Sequence, residues 1–162
     1  MLEPAFRVAS AAGRAPTPGA NRLELLAADG SPIRTLRFAA EEVADLPSGT
    51  EQHFAFVVPL DAALERGLSG LRVSTGIRTT ARLASAASSD PVPAMTRANS
   101  QQVDVQWDAT RYPMVMVRDA GTGDILSFAR GGSARLWTRG SNFILQFSDG
   151  VKSVVRQGRV LQ

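Results

Sequence analysis

The sequence predicts an all-β protein built as two β-sandwich modules in tandem, residues 1–92 and 93–162. Three observations predict it. Short runs of alternating apolar and polar residues recur along the chain, each closed by Gly, Pro, Asp, Asn or Ser. Between Val103 and Val155 there are six strand candidates, with turn residues every 8–12 positions. A stretch rich in Ala, Ser, Pro and Asn, residues 84–100 with Asp90-Pro91-Val92-Pro93 at its centre, reads as a linker between the halves.

In the first half, Leu23 and Leu25 alternate with Arg22 and Glu24. Asp29-Gly30-Ser31-Pro32 supplies turn chemistry, and Leu36 and Phe38 return against Arg37, so residues 20–38 predict a hairpin. Phe54, Phe56 and Val58 predict a further strand with His53 and Ala55 on its other side. Leu71 and Val73 predict a short strand, and Ile77, Thr79, Ala81 and Leu83 another. Residues 39–46 and 61–68 have helix-forming composition, enough for single turns, and Asp61 is placed to cap the second.

In the second half, Val103, Val105 and Trp107 share a face opposite Asp104, Gln106 and Asp108. Met114–Val117 is continuously apolar, which suits a central strand covered on both sides. A turn over residues 119–124 leads to Leu126 and Phe128. Arg130-Gly131-Gly132 turns again toward Leu136 and Trp137. Phe143, Leu145 and Phe147 form the most regular strand, and Asp149-Gly150 predicts a type I′ hairpin into Val151–Val155. The expected core is Leu23, Leu25, Leu36, Phe38, Phe54, Phe56, Val58, Leu71, Val73, Val105, Trp107, Val115, Val117, Leu126, Phe128, Phe143, Leu145 and Phe147.

Composition removes several chemistries. There is no cysteine, which excludes disulfides, thiolate metal sites and cysteine nucleophiles. His53 is the one histidine and lies on the solvent side of a predicted strand, without a GxSxG elbow or HExxH helix in the sequence. Asp119, Asp124 and Asp149 sit in turns, where aspartate ordinarily bonds its own backbone. Asp119 and Asp124 in a Gly-rich loop are nonetheless the residues with which calcium would begin, although their spacing matches no EF-hand. Gly121-Thr122-Gly123 and Gly131-Gly132 precede no helix and carry no GKS or GKT, so they are hairpin turns rather than phosphate loops. No catalytic residue and no cofactor is expected. No apolar run is long enough for a transmembrane helix, and with Glu3 and no apolar stretch at the start no secretory leader is expected within these residues; one would lie upstream.

Charge points to one candidate surface. Residues 1–92 carry 9 Arg against 10 acids, whereas residues 93–162 carry 8 Arg and Lys152 against 5 Asp. A basic half favours an anionic partner, although a solvated arginine face is the blander reading. Arg135, Trp137 and Arg139 share strand parity opposite Leu136 and Thr138, placing a tryptophan away from the expected core face. Arginines interleaved with an exposed indole are what single-stranded nucleic acid would want. The same constellation suits an anionic polysaccharide, the indole stacking on a sugar while arginine holds a carboxylate; nucleic acid is not the partner expected. Packing of Trp137 against a neighbouring module is the competing account.

Two sets of stretches carry a resemblance. Glu3-Pro-Ala-Phe-Arg-Val8, Arg22-Leu-Glu-Leu-Leu-Ala-Ala-Asp-Gly30 and Phe54-Ala-Phe-Val-Val-Pro-Leu60 resemble β modules in the C-terminal regions of secreted bacterial proteins. Val105-Gln-Trp-Asp-Ala109, Tyr112-Pro-Met-Val-Met-Val-Arg-Asp119, Leu126-Ser-Phe-Ala-Arg-Gly-Gly132 and Ser148-Asp-Gly-Val151 are similar to the module that follows in such tails. Some of the parent proteins are similar to gametolysin-type metalloproteases. The resemblance implies two immunoglobulin/fibronectin-like modules in an extracytoplasmic accessory region. Its partners would be an upstream domain of the same polypeptide and a glycan or protein ligand. It carries no catalytic residue onto this chain.

Overall fold

The computed structural model describes residues 2–8, 16–42, 52–85 and 90–160. Strands and turns dominate, and the described residues are all-β apart from one short helix. It divides into two compact units: Val8–Leu83 with Leu2, and Ala84–Gln162 with Glu3–Arg7.

The first unit holds β1 (Asn21–Leu26), β2 (Pro32–Phe38), β3 (Glu41–Glu42), β4 (Gln52–His53), α1 (Ala62–Gly67), β5 (Gly70–Thr75) and β6 (Arg78–Leu83). Its main sheet is antiparallel with order β2-β1-β5-β6, and β3 pairs with β4 separately. The β1–β2 hairpin forms where the turn residues place it. Gly30 takes φ 81°, and Asp29 Oδ1 accepts from the Ser31 amide at 2.9 Å, holding the reversal. Leu23, Leu25, Phe38, Leu71 and Val73 are buried. Leu36, Phe54, Phe56 and Val58 are only half-buried, with Phe54 and Phe56 clustering on Phe38 at 4.5 and 5.3 Å between ring centres. Residues 54–60 keep an alternating exposure but no ladder, so the strand expected there is confined to Gln52–His53. Ile77 stands in the turn before β6, fully exposed, rather than in the strand. Asp61 caps α1 as expected, its Oδ1 accepting from Leu64 N at 2.8 Å. The other helical expectation fails where it is described: Ala39 and Ala40 are irregular, and Glu41–Glu42 form β3, while 43–46 lie outside the described residues.

The second unit holds β7 (Ala94–Asn99), β8 (Gln102–Gln106), β9 (Met114–Asp119), β10 (Ile125–Arg130), β11 (Ser133–Trp137), β12 (Asn142–Ser148) and β13 (Ser153–Arg159). β7 lies inside the stretch expected to be linker, where apolar Met95 turns toward the core cluster. One sheet has order β11-β8-β7 and the other β10-β9-β12-β13. Their inward faces meet in a single core of Val103, Val105, Trp107, Leu136, Val115, Val117, Phe143, Leu145 and Phe147. Met114–Asp119 is a central strand, as its apolar run implies.

Two local expectations are corrected here. Leu126 and Phe128 are not core: they are 36% and 52% exposed. A bulge between Ile125 and Ser127 shifts the β10 register, so Ser127 and Ala129 oppose the inward residues Val117 and Val115 while Phe128 opposes Met116 on the other face. The β12–β13 hairpin closes through four residues rather than two. Asp149 N donates to Lys152 O at 3.0 Å, and the Asp149 carboxylate accepts from Val151 N and Lys152 N.

Candidate functional site

The three-stranded sheet positions the candidate residues. Because Val103, Val105 and Leu136 turn inward, the alternate residues of β8 and β11 must turn outward. Antiparallel register then builds three cross-strand rows. Thr96, Asp104 and Arg135 form one; Asn99, Gln102 and Trp137 a second; Ala94, Gln106 and Ser133 the third.

Trp137 ends β11, an edge strand, and is 74% exposed. Its position on the face opposite Leu136 is the one its parity implies. Arg135 is different from a free cation. Its Nε and Nη2 donate to Asp104 Oδ1 and Oδ2 at 2.7 and 3.0 Å, a forked pair across the ladder. The hydrogen bonds and charge of Arg135 hold the Asp104 carboxyl below its usual range, and the same contact raises Arg135. Beside them, Asn99 Nδ2 donates to Gln102 Oε1 at 2.8 Å. Arg139 lies beyond the end of β11 and is exposed. The face thus offers an indole plane, carboxamides, hydroxyls and a charge pair that is neutral in sum. Such groups can stack on a ring and hydrogen-bond it.

In the sequence Asp104 stands out as one of two carboxylates, with Asp108, that flank Trp107. Its partner lies 31 positions away, and only the β8–β11 register brings the two together. The alternation along 102–106 was the available signal for its outward aim, not for the pairing.

The other candidates fall elsewhere. Asp119 Oδ1 accepts from Gly121 N and Thr122 N at 2.7 and 3.0 Å, and these bonds depress its pKa. Asp124 enters the same turn through its backbone, its carbonyl accepting from Asp119 N at 2.9 Å. Among the described residues no three His, Cys, Asp or Glu side chains gather as a metal-binding group. Asp108 likewise holds its own turn, accepting from Thr110 N at 3.0 Å. His53 sits exposed on β4, with Nε2 3.8 Å from Glu41 Oε2 across the two-stranded ladder. No described helix is long and apolar enough to cross a membrane. No family model, curated protein or solved structure matches the chain.

Proposed function

We propose that this chain is a non-catalytic accessory and interaction module from the C-terminal tail of a larger exported bacterial polypeptide. It would position or tether a catalytic or surface domain lying upstream. The observation that carries the reading is Trp137: a large aromatic held in the open on a rigid sheet face, with carboxamides around it. The resemblance to the tails of gametolysin-type metalloproteases supports the extracytoplasmic setting. The three-on-four strand arrangement of the second unit supports the immunoglobulin/fibronectin-like assignment.

The upstream reading frame tests the accessory role. A leader followed by a catalytic domain containing HExxH is expected, and a frame that starts at this chain would overturn it. A second reading, a binding module for an anionic polysaccharide through Arg135, Trp137 and Arg139, draws on the exposed indole and on Arg139. Against it, Arg135 already has its counter-charge in Asp104. Retention of the chain on alginate or heparin resin, abolished by Trp137→Ala, would establish that reading. Passage through both resins at low salt would remove it.

A further inference from the structure

The four-stranded sheet of the second unit has one face in the core and one turned away from it. Along the second face, Met116 pairs with Gln146 and Phe128, and Ser148 pairs with Met114 and Ser153. A face outside the core would ordinarily be wet, yet Met116, Gln146 and Ser148 are 1%, 6% and 0% exposed.

The chain's own Glu3–Arg7 segment binds along this face through both backbone and side chains. Ala5 N donates to Gly150 O at 3.1 Å, and Ser148 Oγ donates to Ala5 O at 2.5 Å. Arg7 N donates to Ser153 Oγ at 3.1 Å, while Gln146 Nε2 donates to Arg7 O. Thus Ala5 and Arg7 each use both backbone groups, and Phe6 between them carries specificity through its side chain. Phe6 packs edge-on against Phe128, ring centres 5.7 Å apart, and Glu3 forms an ion pair with Arg130. The contacts span β10, β12 and β13, from a segment 139 positions removed from Gln146.

We propose that this face is a docking site for an extended peptide, with Glu3–Arg7 as its resident ligand. Backbone recognition by Gln146, Ser148, Gly150 and Ser153 supplies the register. Phe128 and Arg130 select an aromatic residue preceded, three positions earlier, by an acid. This is peptide recognition by side chains standing on a sheet face, in which main-chain bonds hold the ligand and alternate side chains read it.

The test uses the chain lacking residues 1–7, isotopically labelled, titrated with the peptide Leu-Glu-Pro-Ala-Phe-Arg-Val. Saturable amide shifts are expected at Gly150, Ser153 and the Gln146 carboxamide. They should be lost when the peptide phenylalanine is replaced by alanine, and absent in the intact chain, whose site is filled. No shift in a folded truncated chain overturns the proposal. Should truncation prevent folding, hydrogen exchange in the intact chain decides. Ala5 and Arg7 amides should be protected roughly tenfold or more. Phe6→Ala should release them while Leu145 and Phe147 stay protected. Exchange of Ala5 and Arg7 at open-chain rates in the intact protein overturns it. A concentration-dependent dimer dissolved by Phe6→Ala would place the segment on a second copy and overturn the assignment within one chain.

Discussion

Trp107 and Trp137 are 8% and 74% exposed, so the protein's two indoles report opposite environments. Trp107 is fixed further, its Nε1 donating to Tyr112 O at 2.8 Å inside the core. Acrylamide should therefore quench one component of the fluorescence, and Trp137→Phe should remove that component while leaving the blue-shifted emission of Trp107. Equal quenching before and after the substitution would contradict the placement of Trp137. Glu24 supplies a second residue-scale test. It is a carboxylate only 5% exposed, bonded by Arg72 Nε at 2.5 Å and flanked by Arg22 Nε at 3.6 Å. The Arg72 bond, then the charges of Arg22 and Arg72, hold its pKa below the ordinary 4.5 against the opposing effect of burial. A depressed carboxylate stabilises the fold at pH above its unfolded value, and that contribution is lost as pH falls through the folded one. Arg72→Ala should lower stability at pH 7, with Arg22 limiting the loss. The difference between variant and parent should shrink in urea titrations repeated below pH 4.5.

At the scale of the element, register decides what a substitution costs. Leu145 on β12 is fully buried, so Leu145→Ala should lower stability by about 2–5 kcal/mol. Phe128 has the same apolar look in sequence, yet Phe128→Ala should cost only about 0.5–1.5 kcal/mol, the worth of its pairing with Phe6. Urea midpoints for the two variants would check this, and equal losses would refute the β10 register. The contrast shows what the sequence made legible. Strict alternation read the inward faces of β8 and β12 correctly, because nothing interrupts their pleat. In β10 one bulged residue reverses the parity of everything after it, and no Gly or Pro between Ile125 and Ser127 announces the bulge. Trp137 was legible because β11 has no such interruption. The docking of Glu3–Arg7 was not, since five residues carry too short a period and their partners stand far along the chain. Gly158 on β13 is a further case. A Cβ there would come within 2.4 Å of Leu145 Cδ1 and of Met95 Sδ, so Gly158→Ala should cost about 1–3 kcal/mol as those side chains move aside.

At the scale of the whole molecule, the arginines of the second unit are less available to an anion than their number suggests. Arg135 is matched by Asp104, Arg130 by Glu3, Arg156 by Asp90, and Arg111 has Asp108 Oδ2 3.6 Å from its Nε. Each pair removes a cation from the field a polyanion would feel, and what remains on the surface is screened over roughly 8 Å at physiological salt. Pairing leaves the net charge unchanged, but it weakens the local field at each paired arginine. Binding to a polyanion should accordingly be shallow, with elution from heparin resin well before physiological ionic strength. Asp104→Asn provides the decisive comparison. It keeps the size of the side chain but removes its charge and one of the two acceptors of the forked pair, releasing Arg135 beside Trp137, so elution should move to distinctly higher salt. Asp149→Asn adds the same charge at the β12–β13 loop and serves as the control for net charge alone. If the two variants elute together, the Arg135–Trp137 face has no special part in anion binding. If Asp104→Asn elutes later, Arg135 beside Trp137 takes part in anion binding once its carboxylate partner is removed.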